Sequence, residues 1–279
     1  MLKTVQYSIN IEQLLTVPAK KVTAQAVNPV GYEIYEYDGL RWIRFADGSI
    51  QSVMLLDEPA YPLLSYIQGL ICSLLFSQRP NKLLNLGLGS GSIERFILSQ
   101  FAEMELVSVE IDAKLIELTK QHFHIPSSHR VMQMPAQHYL EVNQQNFDIL
   151  ISDVYPGQES ASSYLSADFI MHAARGLNKQ GVFAVNLLPR SKSEVVEVLV
   201  RMRKTFPWIL IYDVPDMSNM ILFCSLSRPP TLATLKQRAT HLRNSTGLVG
   251  QAGSSVTLSQ STSQGDKACE RRTGRSQFK

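Results

Sequence analysis

Three glycines in the segment Gly87-Leu88-Gly89-Ser90-Gly91 follow a buried apolar run and precede a helical pattern that begins at Ile93. Glycine is needed where a chain turns sharply and where its backbone must approach a ligand closely. Glu110 ends the next predicted strand, 19 residues beyond Gly91, where an acidic side chain reaches the hydroxyl groups of a ribose. The order of strand, glycine turn, helix, strand and acid predicts a nucleoside-binding site.

The spacing of the glycines bears on which nucleoside this site holds. The third glycine falls at Gly91, and Ser92 stands where a G-x-G-x-x-G pattern requires glycine. This spacing favours the loop of methyltransferases that use S-adenosylmethionine. An NAD-dependent dehydrogenase is the alternative at this site.

Asp153 closes a buried strand, residues 147–153, that we expect beside the strand of the glycine loop. Ligands of open parallel sheets bind at the carboxyl ends of the strands, so Asp153 is the predicted base that accepts or orients a proton on an attacking amine. The alternative is that Asp153 only caps a turn. Tyr155 would either stack on the substrate or belong to the core. The six histidines and three cysteines show no metal-ligand spacing, so no metal is expected.

Alternating strands and helices must position these residues. Strand-like runs and helical patterns alternate from residue 81 to about residue 226, which indicates a mostly parallel sheet covered on both faces. The strand-like runs are residues 83–88, 106–110, 130–134, 147–153, 182–187, 209–213 and 220–225. Because only residues 214–219 connect the last two runs, these are predicted to pair antiparallel.

Two flanking regions complete the predicted organisation. Residues 1–55 should form a small β-region, because Asp38-Gly39 and Asp47-Gly48 are hairpin turns between alternating strands. A helix at residues 61–76 is expected to cover one face of it. Residues 56–227 are predicted to form the α/β domain. Residues 228–279 are predicted to be a basic low-complexity tail, mostly disordered apart from a short helix at 231–242.

Composition and charge limit the classes of function. The hydrophobic fraction of 44% and charged fraction of 18% are ordinary for a globular protein, and no apolar run is long enough to cross a bilayer. From Arg228 onward nine Lys/Arg accompany two Asp/Glu, which leaves 18 Lys/Arg and 22 Asp/Glu for the remainder. We therefore expect a cytoplasmic protein whose core binds neither nucleic acid nor membrane.

Seven segments resemble the spermidine-synthase-like (polyamine synthase) family, and in particular its shorter bacterial members of unproven substrate. The segments are DGSIQSVMLLDEPAYP (47–62), the glycine loop, LVSVEID (106–112), FDILISDVYP (147–156), YLSADF (164–169), NKQGVFAVN (178–186) and NMILF (219–223). The resemblance implies a Rossmann-like α/β domain of the class I S-adenosylmethionine-dependent methyltransferase fold. It also implies seven strands with an antiparallel last strand, a small N-terminal β-region, and a homodimer.

The resemblance also implies the donor substrate, which is S-adenosylmethionine or decarboxylated S-adenosylmethionine. Gln51 would lie near the sulfur of the donor, Glu110 on its ribose and Asp153 beside the reacting centre. The other residues implied to contact the donor are Gly87, Gly89, Ser90, Gly91, Ile111, Ala136 and Gln137. Asp153 and Tyr155 are the implied catalytic residues, and the partner is a small-molecule acceptor, an amine in this family.

The chain departs from aminopropyltransferases at the positions where those enzymes carry acids. Ser90 replaces the acid that holds the amine of the donor, and Pro135 replaces the acid at the adenine, with Gln137 as a substitute. Pro62 and Leu63 stand in place of His-Glu, and no second acid follows shortly after Asp153. A diamine pocket needs such carboxylates to offset the desolvation of two ammonium groups.

The predicted function is therefore a transferase that alkylates, and most simply methylates, an unidentified small nucleophile. Two alternatives stay open at this point. One is a true aminopropyltransferase of polyamine biosynthesis with a rebuilt amine pocket. The other is a non-catalytic nucleoside-binding module.

Overall fold

The computed structural model describes residues 11–22, 31–45, 47–154, 161–215, 217–248 and 256–260. Tyr155 and the side chain of Gln51, both predicted site groups, lie outside this description. The strands form two sheets, one of four strands near the N-terminus and one of eight that carries the glycine loop.

The small sheet is antiparallel throughout and places its strands in sequence order. Its strands are β1 (Lys20–Lys21), β2 (Glu33–Tyr37), β3 (Leu40–Arg44) and β4 (Ile50–Leu55). The predicted turn between β2 and β3 is confirmed, because Asp38 and Gly39 have φ values of 46° and 74°. Both residues need positive φ in a two-residue turn that follows the twist of its strands.

The large sheet carries the Rossmann-like part of the molecule. Its strands are β5 (Lys82–Leu86), β6 (Glu105–Glu110), β7 (Val131–Gln133), β8 (Phe147–Ser152), β9 (Leu177–Leu187), β10 (Trp208–Asp213), β11 (Met220–Ser225) and β12 (Val256–Gln260). The strands lie in the order β12-β10-β11-β9-β8-β5-β6-β7. Strands β5 to β9 are parallel, and β11 pairs antiparallel with both β9 and β10. The predicted α/β fold, with seven strands and an antiparallel last pair, is confirmed.

Helices cover both faces of the large sheet. They are α1 (Ser65–Ile71), α2 (Ser92–Gln100), α3 (Ala113–His122), α4 (Ala136–Val142), α5 (Ala161–Tyr164), α6 (Ala167–Arg175), α7 (Lys192–Arg203) and α8 (Leu232–Thr246). Leu83 and Ile149 face the cluster that includes α1, α2 and α8, whereas their neighbours Leu84 and Leu150 face α4, α6 and α7. Such alternation of apolar side chains buries each strand on both faces.

The small sheet is also covered on both faces. As predicted, one face, with Trp42 and Val53, joins the cluster that contains α1. The helix is shorter than expected, because α1 begins at Ser65 and continues as a 3-10 helix, Cys72–Phe76. The other face packs on α3, which was not foreseen. The side chains in that contact are Ile34, Ile43, Met54, Leu115, Leu118 and Phe123.

Two segments of residues 228–279 have regular secondary structure in the described part of the chain. The expected short helix extends as α8 to Thr246, and Arg238 Nη1 of α8 donates to Leu75 O at 2.7 Å. Strand β12 then pairs antiparallel with β10 and adds an eighth strand to the sheet. For the remaining residues of 228–279, the expectation of a mostly disordered tail stays a prediction. Across the described residues, no helix combines the length and apolar character that a membrane span requires.

A buried polar cluster joins α2 to β5 and β6. Glu94 has no exposed surface, and its Oε1 accepts hydrogen bonds from Asn85 Nδ2 at 2.7 Å and from Ser108 Oγ at 2.6 Å. Ser108 Oγ lies 2.9 Å from His129 Nε2, and Asn85 Nδ2 also donates to Gly87 O at 2.8 Å. The cluster therefore supports the start of the glycine loop. Burial raises the pKa of the Glu94 carboxyl.

The substitution Glu94→Gln should stabilise the protein at alkaline pH. Burial favours protonated Glu94, so its contribution to stability is complete below the usual carboxyl pKa and is lost as pH rises through the raised pKa. Glutamine keeps the accepting oxygen and carries no charge. We expect a higher urea midpoint than that of the unmodified protein at about pH 8, and a shrinking difference towards about pH 4.

Glu117→Gln is the matched control, because Glu117 is an exposed partner of Lys114 on α3. An exposed ion pair contributes about 0–1 kcal/mol, so this variant should unfold at nearly the same urea concentration as the unmodified protein. A lower midpoint for Glu94→Gln at both pH values would contradict the prediction.

Candidate functional site

The parallel strands bring the predicted site residues to one edge of the large sheet. Leu86 of β5 pairs with Val109 of β6 and with Ser152 of β8. Gly87, Glu110 and Asp153 follow these residues directly, so all three lie at the carboxyl ends of adjacent strands. This is the edge at which open α/β sheets bind ligands.

The glycine loop has a backbone that other residues would adopt only with strain. The φ values of Gly87, Gly89 and Gly91 are 96°, 54° and 75°. A Cβ on Gly87 would lie 2.4 Å from Asp153 O, and a Cβ on Gly91 would lie 2.6 Å from Ile125 Cδ1. The loop therefore needs glycine both for its backbone conformation and for its close packing.

Neighbouring elements hold the loop through hydrogen bonds. Ser90 N donates to Ser52 Oγ of β4 at 3.1 Å, and Thr119 Oγ1 of α3 donates to Gly89 O at 2.7 Å. Through Ser52, the small sheet forms part of the wall of the site. Gln51, the predicted neighbour of the donor's sulfur, precedes Ser52 in β4.

Arg95 is a buried cation beneath the loop. Its guanidinium donates to Ser90 O, to Pro59 O at 2.5 Å, to Phe123 O at 3.2 Å and to Ser92 Oγ at 3.1 Å. Within the described residues, no ion pair joins Arg95 to a carboxylate. Burial lowers the pKa of Arg95 to about 10, so the side chain stays charged at neutral pH. Arg95 therefore places a positive charge beneath the loop, and the buried carboxyl of Glu94 is near enough to interact with it electrostatically.

Glu110 is buried at the end of β6 and is held by two backbone donors. Leu88 N donates to Glu110 Oε2 at 3.1 Å, and Asp112 N donates to Oε1 at 3.0 Å. A carboxylate offers about four lone-pair sites, so each oxygen can still accept a ligand hydroxyl. Ile111 beside it is 64% exposed. An apolar side chain presented next to a fixed acid suits the base and ribose of one nucleoside.

Ala136 and Gln137 lie at the same edge, on the far side of Glu110. Gln133 of β7 pairs with Glu110, and Met134 N donates to Glu110 O at 3.1 Å, which leads directly into α4. Ala136 is partly buried and Gln137 is exposed at the start of this helix. The structure thus brings together the predicted residues of the glycine loop, Glu110 and α4.

Asp153 is partly buried, and among the described residues one side chain donates a hydrogen bond to it. Asn186 Nδ2, near the end of β9, donates to Asp153 Oδ1 at 2.8 Å. Burial raises the pKa of the carboxyl from an ordinary value of 3.8 to about 6, and the bond from Asn186 opposes that rise. At neutral pH the group is an ionised base with a pKa close to the working range, which suits proton transfer.

Two tyrosines near Asp153 were not predicted as site residues. Tyr66 of α1 is buried and Tyr164 of α5 is partly buried near Asp153; burial raises the pKa of each phenol, and the negative charge of Asp153 raises it further. The hydroxyls of Tyr164 and Ser152 are buried neighbours whose geometry falls short of a hydrogen bond. The two tyrosines therefore place aromatic rings in the neighbourhood of Asp153.

Sequence reasoning also missed Arg95, Asn186 and Asn219. Asn186 ends an apolar strand at the same edge as Asp153, and that position was the available signal. Nothing in the spacing of Arg95 or Asn219 distinguishes them from surface residues. The described residues contain no cluster of three metal-ligating side chains. A surface depression lined by residues 141–146 and Arg175 lies away from this edge, at the opposite end of β8.

Comparison with known proteins gives the family. The model of the spermine/spermidine synthase domain matches residues 69–234, which is more than half of the chain. The chain belongs to this family. The match runs from α1 to α8 and includes every strand of the large sheet except β12.

Curated relatives of two kinds are similar to this chain. The polyamine aminopropyltransferase of Neisseria meningitidis is 24% identical over 223 residues, which cover 77% of this chain and 84% of that protein. That of Chromobacterium violaceum is 28% identical over 157 residues, which cover 55% of this chain and 60% of that protein. The eEF1A lysine and N-terminal methyltransferase of Bos taurus is 27% identical over 173 residues, 57% of this chain and 25% of that protein. All are transferases, as predicted for this chain.

Solved structures confirm the fold. A probable spermidine synthase from Corynebacterium glutamicum has a TM-score of 0.67 at 19% identity and covers 88% of this chain and 91% of that one. Human methyltransferase-like protein 13 in complex with SAH has a TM-score of 0.62 at 23% identity and covers 66% of this chain and 93% of that one.

Gly87→Ala should disrupt the site and the fold together. A methyl group at this position would meet the backbone oxygen of Asp153, which cannot rotate away, and φ would stay at 96°. We expect a loss of at least about 2 kcal/mol in urea denaturation. Gly39→Ala is the control: its φ is 74° but nothing lies within 4 Å, so only about 1 kcal/mol should be lost. Equal losses for the two variants would contradict the steric argument.

Asp153→Asn should stabilise the protein at neutral pH while removing the base. The pKa of Asp153 is raised in the folded protein, so its contribution to stability is complete in acid and is lost as pH rises from about 4 through about 6. Asparagine keeps an oxygen for the bond from Asn186. We expect urea denaturation at about pH 7.5 to show a gain of about 1–3 kcal/mol that disappears near pH 4.

Asp148→Asn is the control for this prediction at the other end of β8. Asp148 accepts bonds from Asn81 N, Lys82 N and Asn178 Nδ2 on its two oxygens, and asparagine cannot replace both acceptors. This variant should therefore be less stable than the unmodified protein. Destabilisation by Asp153→Asn at neutral pH would contradict the conclusion that burial raises the pKa of Asp153 and makes its ionised form unfavourable in the folded protein.

Proposed function

We propose that this protein transfers a methyl group from S-adenosylmethionine to an amine. The observation that carries the proposal is the charge of the donor site, where Ser90 and the buried Arg95 lie at the glycine loop. A donor that keeps its α-carboxylate places a negative charge in this region. A decarboxylated donor has only an ammonium group there, which a positive potential disfavours.

The amino end of α2 adds to the same preference. Gly91 is the N-cap residue of α2, and because glycine has no side chain, it does not cap the first N–H groups of the helix. The first backbone N–H groups of a helix carry partial positive charge and bind anions such as carboxylates. Both features support S-adenosylmethionine over its decarboxylated form.

The remaining site residues support the nucleoside and the chemistry. Glu110 offers its free lone pairs to the ribose hydroxyls, and Ile111 gives the adenine an apolar surface. Asp153 accepts the proton of the acceptor while the acceptor's lone pair forms a bond to the methyl carbon. The bond from that carbon to sulfur breaks, and S-adenosylhomocysteine leaves. The protein mainly positions the two reactants, and the rings of Tyr66 and Tyr164 near Asp153 help to exclude water from them.

The acceptor class follows from the relatives. The polyamine aminopropyltransferases and the eEF1A lysine and N-terminal methyltransferase are named for transfer to amine nitrogen. The ionised carboxylate of Asp153 would attract the positively charged form of an amine and then take its proton.

Calorimetry with the two donors tests the donor assignment. We expect the unmodified protein to bind S-adenosylmethionine at least tenfold more tightly than decarboxylated S-adenosylmethionine. Ser90→Asp should weaken binding of S-adenosylmethionine tenfold to a hundredfold, because two carboxylates at about 6 Å repel by about 1–3 kcal/mol. Ser90→Asn matches the shape without the charge and should keep the preference. Tighter binding of the decarboxylated donor, or no binding of either, would overturn the proposal.

Aminopropyl transfer is the second candidate, favoured by the names of the Neisseria and Chromobacterium relatives. It predicts release of methylthioadenosine when the protein meets decarboxylated S-adenosylmethionine and a diamine. The methyltransferase proposal predicts release of S-adenosylhomocysteine from S-adenosylmethionine with amine acceptors instead. Mass spectrometry of the nucleoside product separates the two.

A further inference from the structure

Two asparagines extend the reaction centre across the neighbouring strands. Ser152 of β8 pairs with Val185 of β9 in a parallel register. Asp153 and Asn186 are the next residues along these two strands, so they lie side by side at the same edge. Asn186 pairs with Ile221 of β11, and Asn219 comes just before that strand. The antiparallel β11 thus begins at the edge where the parallel strands end, and it carries Asn219 to the site.

A directional chain of hydrogen bonds joins these three side chains. Asn219 Nδ2 donates to Asn186 Oδ1 at 2.9 Å, and Asn186 Nδ2 donates to Asp153 Oδ1 at 2.8 Å. An ionised carboxylate only accepts, so Asn186 must turn its NH₂ group to Asp153. The oxygen of Asn186 then faces Asn219, where it needs a donor, and Asn219 supplies one.

The reverse orientation of the Asn186 amide is unfavourable on both sides. It would place the amide oxygen of Asn186 against the carboxylate of Asp153 and its NH₂ group against the donor of Asn219. Asn219 is only 9% exposed and Asn186 is partly buried, so neither mismatch is readily relieved by water. Neighbouring hydrogen bonds in such a chain also strengthen each other.

We propose that Asn219 is a positioning residue, which fixes the amide of Asn186 and thereby holds the carboxylate of Asp153 charged and aimed at the acceptor. The hydrogen bond of Asn219 goes to Asn186 and not to Asp153, so Asn219 acts through Asn186. The inference rests on the proposed function only for the role of Asp153 as the base. The bond geometry exists whatever the acceptor is.

The charged and titratable groups around Asp153 define what the test must separate. Among the described residues these are Tyr66 from α1 and Tyr164 from α5. Both phenols have raised pKa values, so they are uncharged at neutral pH and do not change charge while Asp153 titrates. Burial raises the pKa of Asp153, and donation by Asn186 opposes that effect. Weakening the chain at Asn219 should therefore raise the pKa further, and the tyrosines stay unchanged.

The experiment is a carboxyl ¹³C NMR titration of Asp153 in the intact protein, assigned with Asp153→Asn. We expect Asn219→Leu to raise the pKa of Asp153 by about half to one pH unit, and Asn186→Leu to raise it at least as much. In the double variant, Asn219→Leu should add nothing, because its effect passes through Asn186. Asn219→Ala removes the same donor without added bulk and serves if the leucine variant does not fold.

Asn178→Leu is the matched control, since Asn178 Nδ2 donates to Asp148 Oδ1 at 2.7 Å at the other end of β8. This variant should leave the pKa of Asp153 unchanged. An unchanged pKa in both Asn219 variants, or an equal rise in the control, would overturn the inference. The titration needs neither donor nor acceptor, so its failure is distinct from a failure to bind S-adenosylmethionine. Where transfer is measured, the acid limb of its pH profile should move with the pKa.

Discussion

The backbone of Gly87 lies so close to the backbone of Asp153 that no side chain fits between them. Gly87 N donates to Val109 O at 2.9 Å and Asp153 N donates to Leu86 O at 2.8 Å, so the loop and the base are fixed by the same strand ends. This contact places the glycine loop and Asp153, the proposed base, next to each other. Glu110, α4 and the wall from β4 are then arranged around that point.

Charge distinguishes this edge from a generic nucleotide site. Arg95 forms hydrogen bonds to the glycine loop, to the chain before α1 and to the end of α3, so one buried cation connects three segments. A buried cation without a bonded carboxylate is costly, and an anionic ligand offsets part of that cost. Asp153 is the opposite case, a carboxylate kept ionised near neutral pH in a buried setting. Buried charges of this kind lower stability, which is the usual cost at positions that serve chemistry, as proposed for Asp153.

The supporting residues explain how such groups persist. Glu110 receives two backbone N–H bonds, and Asp153 is held through Asn186 by Asn219. Each carboxylate is therefore oriented by donors that are themselves held in place, backbone N–H groups for Glu110 and the amide of Asn186 for Asp153. Preorganised partners of this kind determine function more than the identity of the charged residue alone.

The sequence alone determined the fold, because strand and helix periodicity are local patterns that identified the seven strands. The glycine spacing with Glu110 predicted a nucleoside loop from local patterns as well, and the structure brings these residues to one edge of the sheet. Tertiary structure decided what depends on partners distant in sequence. Arg95 looks like a surface residue until its burial is known, and α3 covers the small sheet only because β6 carries it there. Asn219 reaches Asp153 through the antiparallel pairing of β11, a register that no local pattern specifies.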